Sequence, residues 1–599
     1  MAVSVSDAEV DAKINEWLRF DKNEQTRGEI LRLVEAKNVN ELRSRLCNRM
    51  AFGTAGLRAR MGAGYSMMND LTIIQTAQGL AKYLLKTCEG VKKKGIVIGY
   101  DARHNSQKWG QISAGVMLNE GIPVYLFSSI TPTPFVPYSV VKYGCSCGVM
   151  VTASHNPKED NGYKVYWENG AQIIPPHDKG ISTSIIENLT PLDASWVIDS
   201  VLTNPLLKDP LAETSAAYFE DVKSLCHHRD LNMKTSLKFT YTAMHGVGYS
   251  FAQESFKSFG FQPLIPVELQ VVPDPEFPTV KFPNPEEGKS ALDLSIKTAN
   301  ENDSTVILAN DPDADRLAVA EKLPSGDWHV FTGNEVGALL GWWSWHSFQL
   351  KHPEIPGSEV YMLASTVSSK ILKTIATSER FNFEETLTGF KWMGNKAVDL
   401  MKEGKKVLFA FEEAIGFMCG TEVLDKDGVS ALSVIAELAV WLVEKNSTLK
   451  QQLDSIYQTY GLHISNNSYF ICHHQPTIDG MFNRLRNFEG TNTYPKSCGP
   501  FSIKYVRDLT TGFDNERPGN QAVLPTSKSS QMITFTFDNG CIATMRTSGT
   551  EPKIKYYTEI CGKTGASRED VTSELNSLVD NLIEHFMQPN VNKLIARSG

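Results

Sequence analysis

No stretch of this chain stays apolar for long. The best candidate, SVIAELAVWLV at 433–443, carries Glu437 within it and falls short of the ~18 apolar residues that a membrane-spanning helix needs. It reads as a core helix, and no membrane association is expected. Positive charge is not in excess either. A formal net charge of −9 excludes a general nucleic-acid surface, because phosphate backbones are held by concentrated Lys and Arg. Small anionic ligands stay possible, since a pocket can be basic inside an acidic protein. Cysteine is sparse: ten residues are scattered, and the only close pair, Cys145 and Cys147, has no second pair to complete a zinc site. Reduced thiols in a cytoplasmic protein fit that pattern. The start, MAVSVSDAEV, lacks a basic segment followed by an apolar one, so export is not expected.

A length of 599 residues is too great for one core and implies roughly four domains. Short Val- and Ile-rich runs alternate with helical periodicity: GIVIGY (95–100), IPVYLF (122–127), CGVMVTA (147–153), STVILAN (304–310) and KVLFAF (406–411). This is the pattern of α/β domains with largely parallel sheets. Ligand sites in such sheets lie at the carboxyl ends of strands, where polar loops follow several of these runs. VVPDPEFPTVKFPNPEEG (271–288) must be an irregular connection. Val571, Leu575, Leu578, Val579, Leu582, Ile583 and Phe586 fall on one helical face behind Ser567, a fitting N-cap.

Several loops could carry chemistry. TASHNP (152–157) places Ser154 beside His155 after a buried strand. A hydrolytic Ser–His pair would need a third group to orient the base, and adjacent residues rarely arrange this. In DPDADR (311–316), Asp311, Asp313 and Asp315 stand at every second position, so in an extended loop their carboxylates point the same way. They would repel one another unless a cation lay among them, and hard oxygen ligands favour Mg²⁺ or Ca²⁺. An EF-hand fails, because Arg316 and Lys322 occupy the positions where that loop needs Gly and Glu. A solvated acidic turn is the plain alternative. RTSGTEPK (546–553) reads as a loop between strands that offers the Arg546 fork, the hydroxyls of Thr547, Ser548 and Thr550, and Gly549 for an anion nest, although a hairpin turn explains Ser and Gly equally well. ETLTGFKWMG (385–394) and FEEAIGF (411–417) supply Thr388, Gly389, Lys391, Glu412 and Glu413, while Arg58 and Lys164 stand in FGTAGLR and NGYKVYW. A paired-carboxylate glycosidase would need neither a metal loop nor a phosphate cradle.

With GTAGLR, TASHNP, DPDADR, EEAIG and RTSGTEP in this order, the chain resembles the α-D-phosphohexomutase family almost end to end. TGFKWMG and FEEAIGF are most similar to the branch called phosphoglucomutase-2, whose animal members act as phosphopentomutases. The resemblance implies an α/β protein of four domains around a central cleft: three related α/β mixed-sheet domains and a C-terminal α+β domain. The expected limits are 1–212 with the phosphoserine loop, 213–335 with the metal loop, 336–455 with the sugar loops and 456–599 with the phosphate loop.

It further implies that Ser154 is phosphorylated and completes a Mg²⁺ site with Asp311, Asp313 and Asp315. Arg316 would contact the same phosphate. Arg58, Lys164 and His155 would assist transfer, with Lys164 and His155 the candidates for acid and base. Thr388, Gly389, Lys391 and Glu412 would read the sugar, and Arg546, Thr547, Ser548, Gly549 and Thr550 would hold the non-reacting phosphate. The expected activity interconverts pentose 1- and 5-phosphates, and glucose 1- and 6-phosphates, through a bisphosphate intermediate. Glucose 1,6-bisphosphate, or a pentose bisphosphate, would be the activator, and a cytoplasmic monomer acting on small phosphosugars in nucleoside salvage and glucose metabolism is expected. Two alternatives stand beside this: a glucose 1,6-bisphosphate synthase, and a sugar-phosphate-binding scaffold without turnover. Ala414 departs from hexose-specific members, which usually carry serine there.

Overall fold

The computed structural model describes residues 4–596 except 54–55, 200, 288, 529, 549–551 and 563–564. The chain forms two compact units. One runs to His352 and includes Gly389–Leu449; the other comprises Pro353–Thr388 and the chain from Lys450. Three α/β domains with mixed sheets are followed by a C-terminal domain built on an antiparallel sheet, as the family resemblance implies, whereas the strand pattern alone predicts largely parallel sheets; the third α/β domain contributes segments to both units.

In the first unit, three short helices, Ala8–Phe20, Glu24–Glu35 and Val39–Leu46, are capped by the side chains of Asp7, Asn23 and Asn38. They bury Val10, Ile14, Trp17, Ile30 and Leu42 against Tyr65 and Leu71. The first sheet follows. Ile96–Tyr100 lies parallel to both Val124–Leu126 and Cys147–Val151, and every residue of Ile96–Tyr100 and Cys147–Val151 is buried, as befits strands covered by helices on both faces. Asp160–Trp167 returns antiparallel to Cys147–Val151 with Met150 opposite Lys164, and Leu57–Arg60 pairs outside it with Arg58 opposite Gly162. This register brings Arg58, Lys164 and the loop after Val151 to one end of the sheet.

The second sheet pairs Phe239–Thr242 in parallel with Val306–Ala309, and Ala318–Lys322 turns back antiparallel to the latter. The loop carrying the three aspartates joins those last two strands. Residues 271–287 contain no strand, only bends, turns and the short 3₁₀ helix Pro285–Glu287, as their prolines predict. Lys406–Glu412 pairs antiparallel with Gly416–Cys419, and Gly428–Val443 is a buried helix that includes the expected core segment at 433–443.

In the second unit, Val360–Ser365 lies parallel to Asn382–Thr386. The C-terminal sheet runs Phe501–Asp508, Met532–Phe537, Ile542–Thr547, Lys553–Gly562 and Leu462–Ile471, each antiparallel to the next. Ser567 caps the helix Arg568–Asn581 by accepting from Asp570 N–H. The expected apolar face is present, but after Asn581 the helix widens into a π turn over Leu582–Met587, which buries Leu582 and Phe586 and leaves Ile583 only partly covered.

Candidate active site

Ser154 stands in the first turn after the strand Cys147–Val151. Its φ of 54° is left-handed, a conformation that costs a residue with a Cβ about 1–3 kcal/mol and persists only where the surroundings enforce it. They do so here. Thr152 Oγ1 accepts from Ser154 N–H at 2.8 Å, and Arg103 donates to the carbonyls of Ser154 (2.6 Å), Asn156 (2.5 Å) and Pro157 (2.8 Å). Arg103 is buried with Asp101 3.4 Å away, and that carboxylate also accepts from Thr152 Oγ1 at 2.6 Å. Arg58 Nη1 donates to Asn156 Oδ1 at 3.0 Å.

Ser154 Oγ donates to Asp311 Oδ2 at 2.7 Å. The carboxylates of Asp311, Asp313 and Asp315 present oxygens within 4.8 Å of one another, and all three residues are buried. The loop is not the extended segment that the alternation predicts. Ala314 N–H closes a turn onto Asp311 C=O at 2.9 Å, with Ala314 in the left-handed region at φ 55°. The carboxylates therefore converge by folding of the turn rather than by strand alternation.

Lys164 Nζ donates to Asp313 Oδ2 at 2.7 Å and Asp315 Oδ2 at 2.8 Å, while Thr133 Oγ1 donates to Asp313 Oδ2 at 2.6 Å. Lys426 Nζ lies 3.3 Å from Asp315 Oδ2. The second oxygens, Oδ1 of Asp313 and of Asp315, are buried and find no hydrogen-bond partner among the described residues. Buried carboxylate oxygens without donors are costly, and they suit a hard cation; the donor set fits a metal ion.

The electrostatics divide the three carboxyls. Burial first, then Asp313 and Asp315, push Asp311 well above the usual carboxylate range. Burial would raise Asp315 as well, but Lys164, Lys426 and Arg316 outweigh it and hold the group low. Burial, reinforced by Arg316 and Arg58, keeps the His155 imidazole well below its ordinary value. Burial would lower Lys164, but Asp313 and Asp315 more than reverse it, so the ammonium is strongly held. His155 Nδ1 is 3.4 Å from Ser154 Oγ.

Arg316 reaches the same place: its Nε is 3.9 Å from both Asp311 Oδ2 and Asp315 Oδ1, buried and without a hydrogen-bond partner among the described residues. Its Nη1 donates to Ala414 C=O at 3.1 Å. Glu412 ends its strand and accepts from Gly389 N–H at 2.7 Å through Oε1. Gly389 has φ 107° and opens the helix Phe390–Lys402, so Lys391 stands on the first turn of a helix rather than in the expected loop. Burial lowers Lys391 to about 8, against the opposing pull of Asp178 and Glu412.

The remaining expected residues belong to the second unit. Thr388 Oγ1 is buried without a partner among the described residues. Arg546 and Thr547 are not loop residues but the end of the strand Ile542–Thr547. Arg546 Nη2 donates to Tyr557 Oη at 3.0 Å, Thr547 Oγ1 accepts from Gln531 N–H at 3.2 Å, and Ser548 N–H donates to Lys553 C=O at 2.9 Å. Gly549 and Thr550 lie outside the described residues.

Sequence reasoning missed Arg103, Asp101, Thr133, Lys426 and Tyr557. Only Lys426 left a signal, since Asp425, Lys426 and Asp427 precede an apolar helical run that Asp427 caps.

A serine held against buried carboxylates fit for a cation, with arginines and lysines around them, on a scaffold of three α/β domains and an antiparallel C-terminal domain, defines an enzyme of phosphoryl transfer. Comparison with known proteins gives the family. Residues 49–191, 216–325 and 332–460 match the phosphoglucomutase/phosphomannomutase α/β/α domains I, II and III. The chain is 57% identical to phosphopentomutase of Homo sapiens over 97% of each chain. It is 55% identical to glucose 1,6-bisphosphate synthase of Homo sapiens, covering 99% of this chain and 96% of the other. The crystal structure of pp63/parafusin, a phosphoglucomutase from Paramecium, shares the fold with a TM-score of 0.66 at 17% identity, covering 90% of this chain and 95% of that one. The chain belongs to the phosphoglucomutase/phosphomannomutase family.

Proposed function

We propose that this protein is a phosphosugar mutase, interconverting the 1- and 5-phosphates of ribose and deoxyribose and also glucose 1- and 6-phosphates. The observation that carries this reading is the 2.7 Å hydrogen bond from Ser154 Oγ to Asp311, beside carboxylate oxygens that find no donor among the described residues. The human relative named phosphopentomutase supports the pentose assignment. Ser154 is the phosphate store. A free hydroxyl of a sugar monophosphate attacks the phosphorus on Ser154, the P–O bond to Oγ breaks as the bond to the sugar forms, and the hydroxyl proton passes to a base. The bisphosphate turns over, and its other phosphate returns to Ser154.

Asp311, Asp313 and Asp315, with the Ser154 phosphate, would hold Mg²⁺, which when bound supplies charge stabilisation at the transferring phosphoryl group. The protein's own part is positioning. Arg316 and Arg58 take charge on the phosphate oxygens, and His155 and Lys164 stand beside them as the candidates for acid and base. Glu412, Gly389, Lys391 and Thr388 bind the sugar, and Arg546, Thr547, Ser548, Gly549 and Thr550 hold the phosphate that is not reacting. The domain limits are those at 212, 335 and 455. Ten free cysteines accord with a cytoplasmic protein, and no helix among the described residues is long and apolar enough to cross a membrane.

The test is kcat/KM for ribose 1-phosphate and glucose 1-phosphate, with Mg²⁺ and a trace of glucose 1,6-bisphosphate. A preference for ribose 1-phosphate is expected. The relative named glucose 1,6-bisphosphate synthase supports a second reading, in which Ser154 takes phosphate from 1,3-bisphosphoglycerate. Stoichiometric release of glucose 1,6-bisphosphate from that donor and glucose 1-phosphate would favour it over the mutase.

A further inference from the structure

Two strands of the C-terminal sheet grip the segment that links Val360–Ser365 to the next helix. From one strand, Arg507 Nη2 donates to Glu385 Oε1 at 2.8 Å, and Thr366 Oγ1 bonds to both residues. From the other, Glu559 Oε2 accepts from Lys370 N–H at 2.7 Å. Lys370 Nζ lies 3.7 Å from Glu385 Oε2. Between these polar points Val367, Leu509, Met532 and Tyr557 bury one another, with Leu387 packed against them.

Tyr557 faces two ways. Its ring belongs to that apolar cluster, while its hydroxyl accepts from Arg546 Nη2 at 3.0 Å and the guanidinium sits 5.4 Å from the ring centroid. Leu387 directly precedes Thr388, whose buried hydroxyl has no partner among the described residues. A continuous packed path therefore runs from Arg546 through Tyr557 and Leu387 to Thr388. A partly buried ion pair such as Arg507–Glu385 adds little net stability, so its role is better sought in registry.

We infer that Tyr557 and the Arg507–Glu385 pair are positioning residues that fix the spacing between Arg546 and Thr388, and so select the length of phosphosugar that is turned over. The inference rests on the mutase reading, in which one sugar is held by its phosphate and its hydroxyls at once. Pentose and hexose phosphates differ in span by one carbon, and a misplacement of about 1 Å costs on the order of 10²-fold in rate. A rigid spacer therefore discriminates between them.

The experiment uses the full chain with Tyr557→Phe, which keeps the ring and removes the hydroxyl, and Arg507→Lys, which keeps the charge and removes the fork. kcat and KM are measured separately for ribose 1-phosphate and glucose 1-phosphate, alongside the melting temperature. The expected result is a rise in KM that is unequal for the two sugars, shifting the ratio of their kcat/KM values by at least about fivefold. A ratio within about twofold of wild type in both variants, whatever happens to the melting temperature, would make the contacts merely structural and overturn the inference. Should Arg507→Lys fail to fold, Tyr557→Phe decides alone. A wild-type protein that turns over neither sugar would overturn the mutase reading and this inference with it.

Discussion

Arg103 holds Ser154 in place from behind. The guanidinium donates to the serine's own carbonyl at 2.6 Å and to two further carbonyls of the same turn, and so fixes a left-handed serine whose hydroxyl faces Asp311. Arg103→Lys keeps a cation beside Asp101 but loses the planar fork that reaches four carbonyls. The expected outcome is a fall in kcat of roughly tenfold or more with a folded protein, checked by steady-state kinetics and thermal melting. Arg103→Ala should be much worse for the fold, since it leaves Asp101 buried without its cation, at a cost of about 3–5 kcal/mol.

Asp313→Ala removes one metal-competent carboxylate, while Lys164 keeps its bond to Asp315 and the crowding of three carboxylates is relieved. Turnover should drop by at least ~10²-fold, with the melting temperature close to wild type. Wild-type turnover in this variant would remove the aspartate loop from the mechanism.

Lys391 gives a pH dependence with a definite sign. Its folded pKa of about 8 lies below the ordinary value of 10.5, so the ammonium is present below about 8 and lost as the pH rises through it. Binding of an anionic phosphosugar that needs this charge weakens on that alkaline limb, and kcat/KM should fall there. The unfolded chain binds more protons between the two values, so stability should rise with pH across the same window. Lys391→Met is expected to abolish the alkaline inflection, lower kcat/KM and raise the melting temperature at pH 7.

Ala414 is the position at which the choice of sugar can be tested. Ala414→Ser would offer a hydroxyl worth about 0.5–1.5 kcal/mol net to a hexose, and should raise kcat/KM for glucose 1-phosphate relative to ribose 1-phosphate by up to roughly tenfold. An unchanged ratio would show that this position does not set specificity.

Much of this was legible in the letters because it is local. Ile96–Tyr100 is buried throughout and opens on three β-branched residues, and the loops after such strands carry the polar residues. The aspartate loop could be read as a cation site from charge alone, but not its shape, because a left-handed Ala314 follows from the closed turn and not from residue type. The strand ends were less visible: Arg546 and Thr547 pair with Lys555 and Ile554 although their polarity suggests a loop. Arg103 and Tyr557 were invisible, since each acts through contacts with residues remote in sequence. Lys426 left the Asp–Lys–Asp triplet as its signal but not its partner, since only folding brings it to Asp315, 111 positions before it.

The most direct test of the central claim is phosphate on Ser154. The purified protein is incubated with glucose 1,6-bisphosphate and Mg²⁺, digested, and its phosphorylated peptide located by tandem mass spectrometry, with Ser154→Ala in parallel. The account expects phosphate on Ser154, its loss when a sugar monophosphate is added, and neither labelling nor turnover in Ser154→Ala. Mutase turnover that persists in Ser154→Ala, or phosphate carried on another residue, would contradict it.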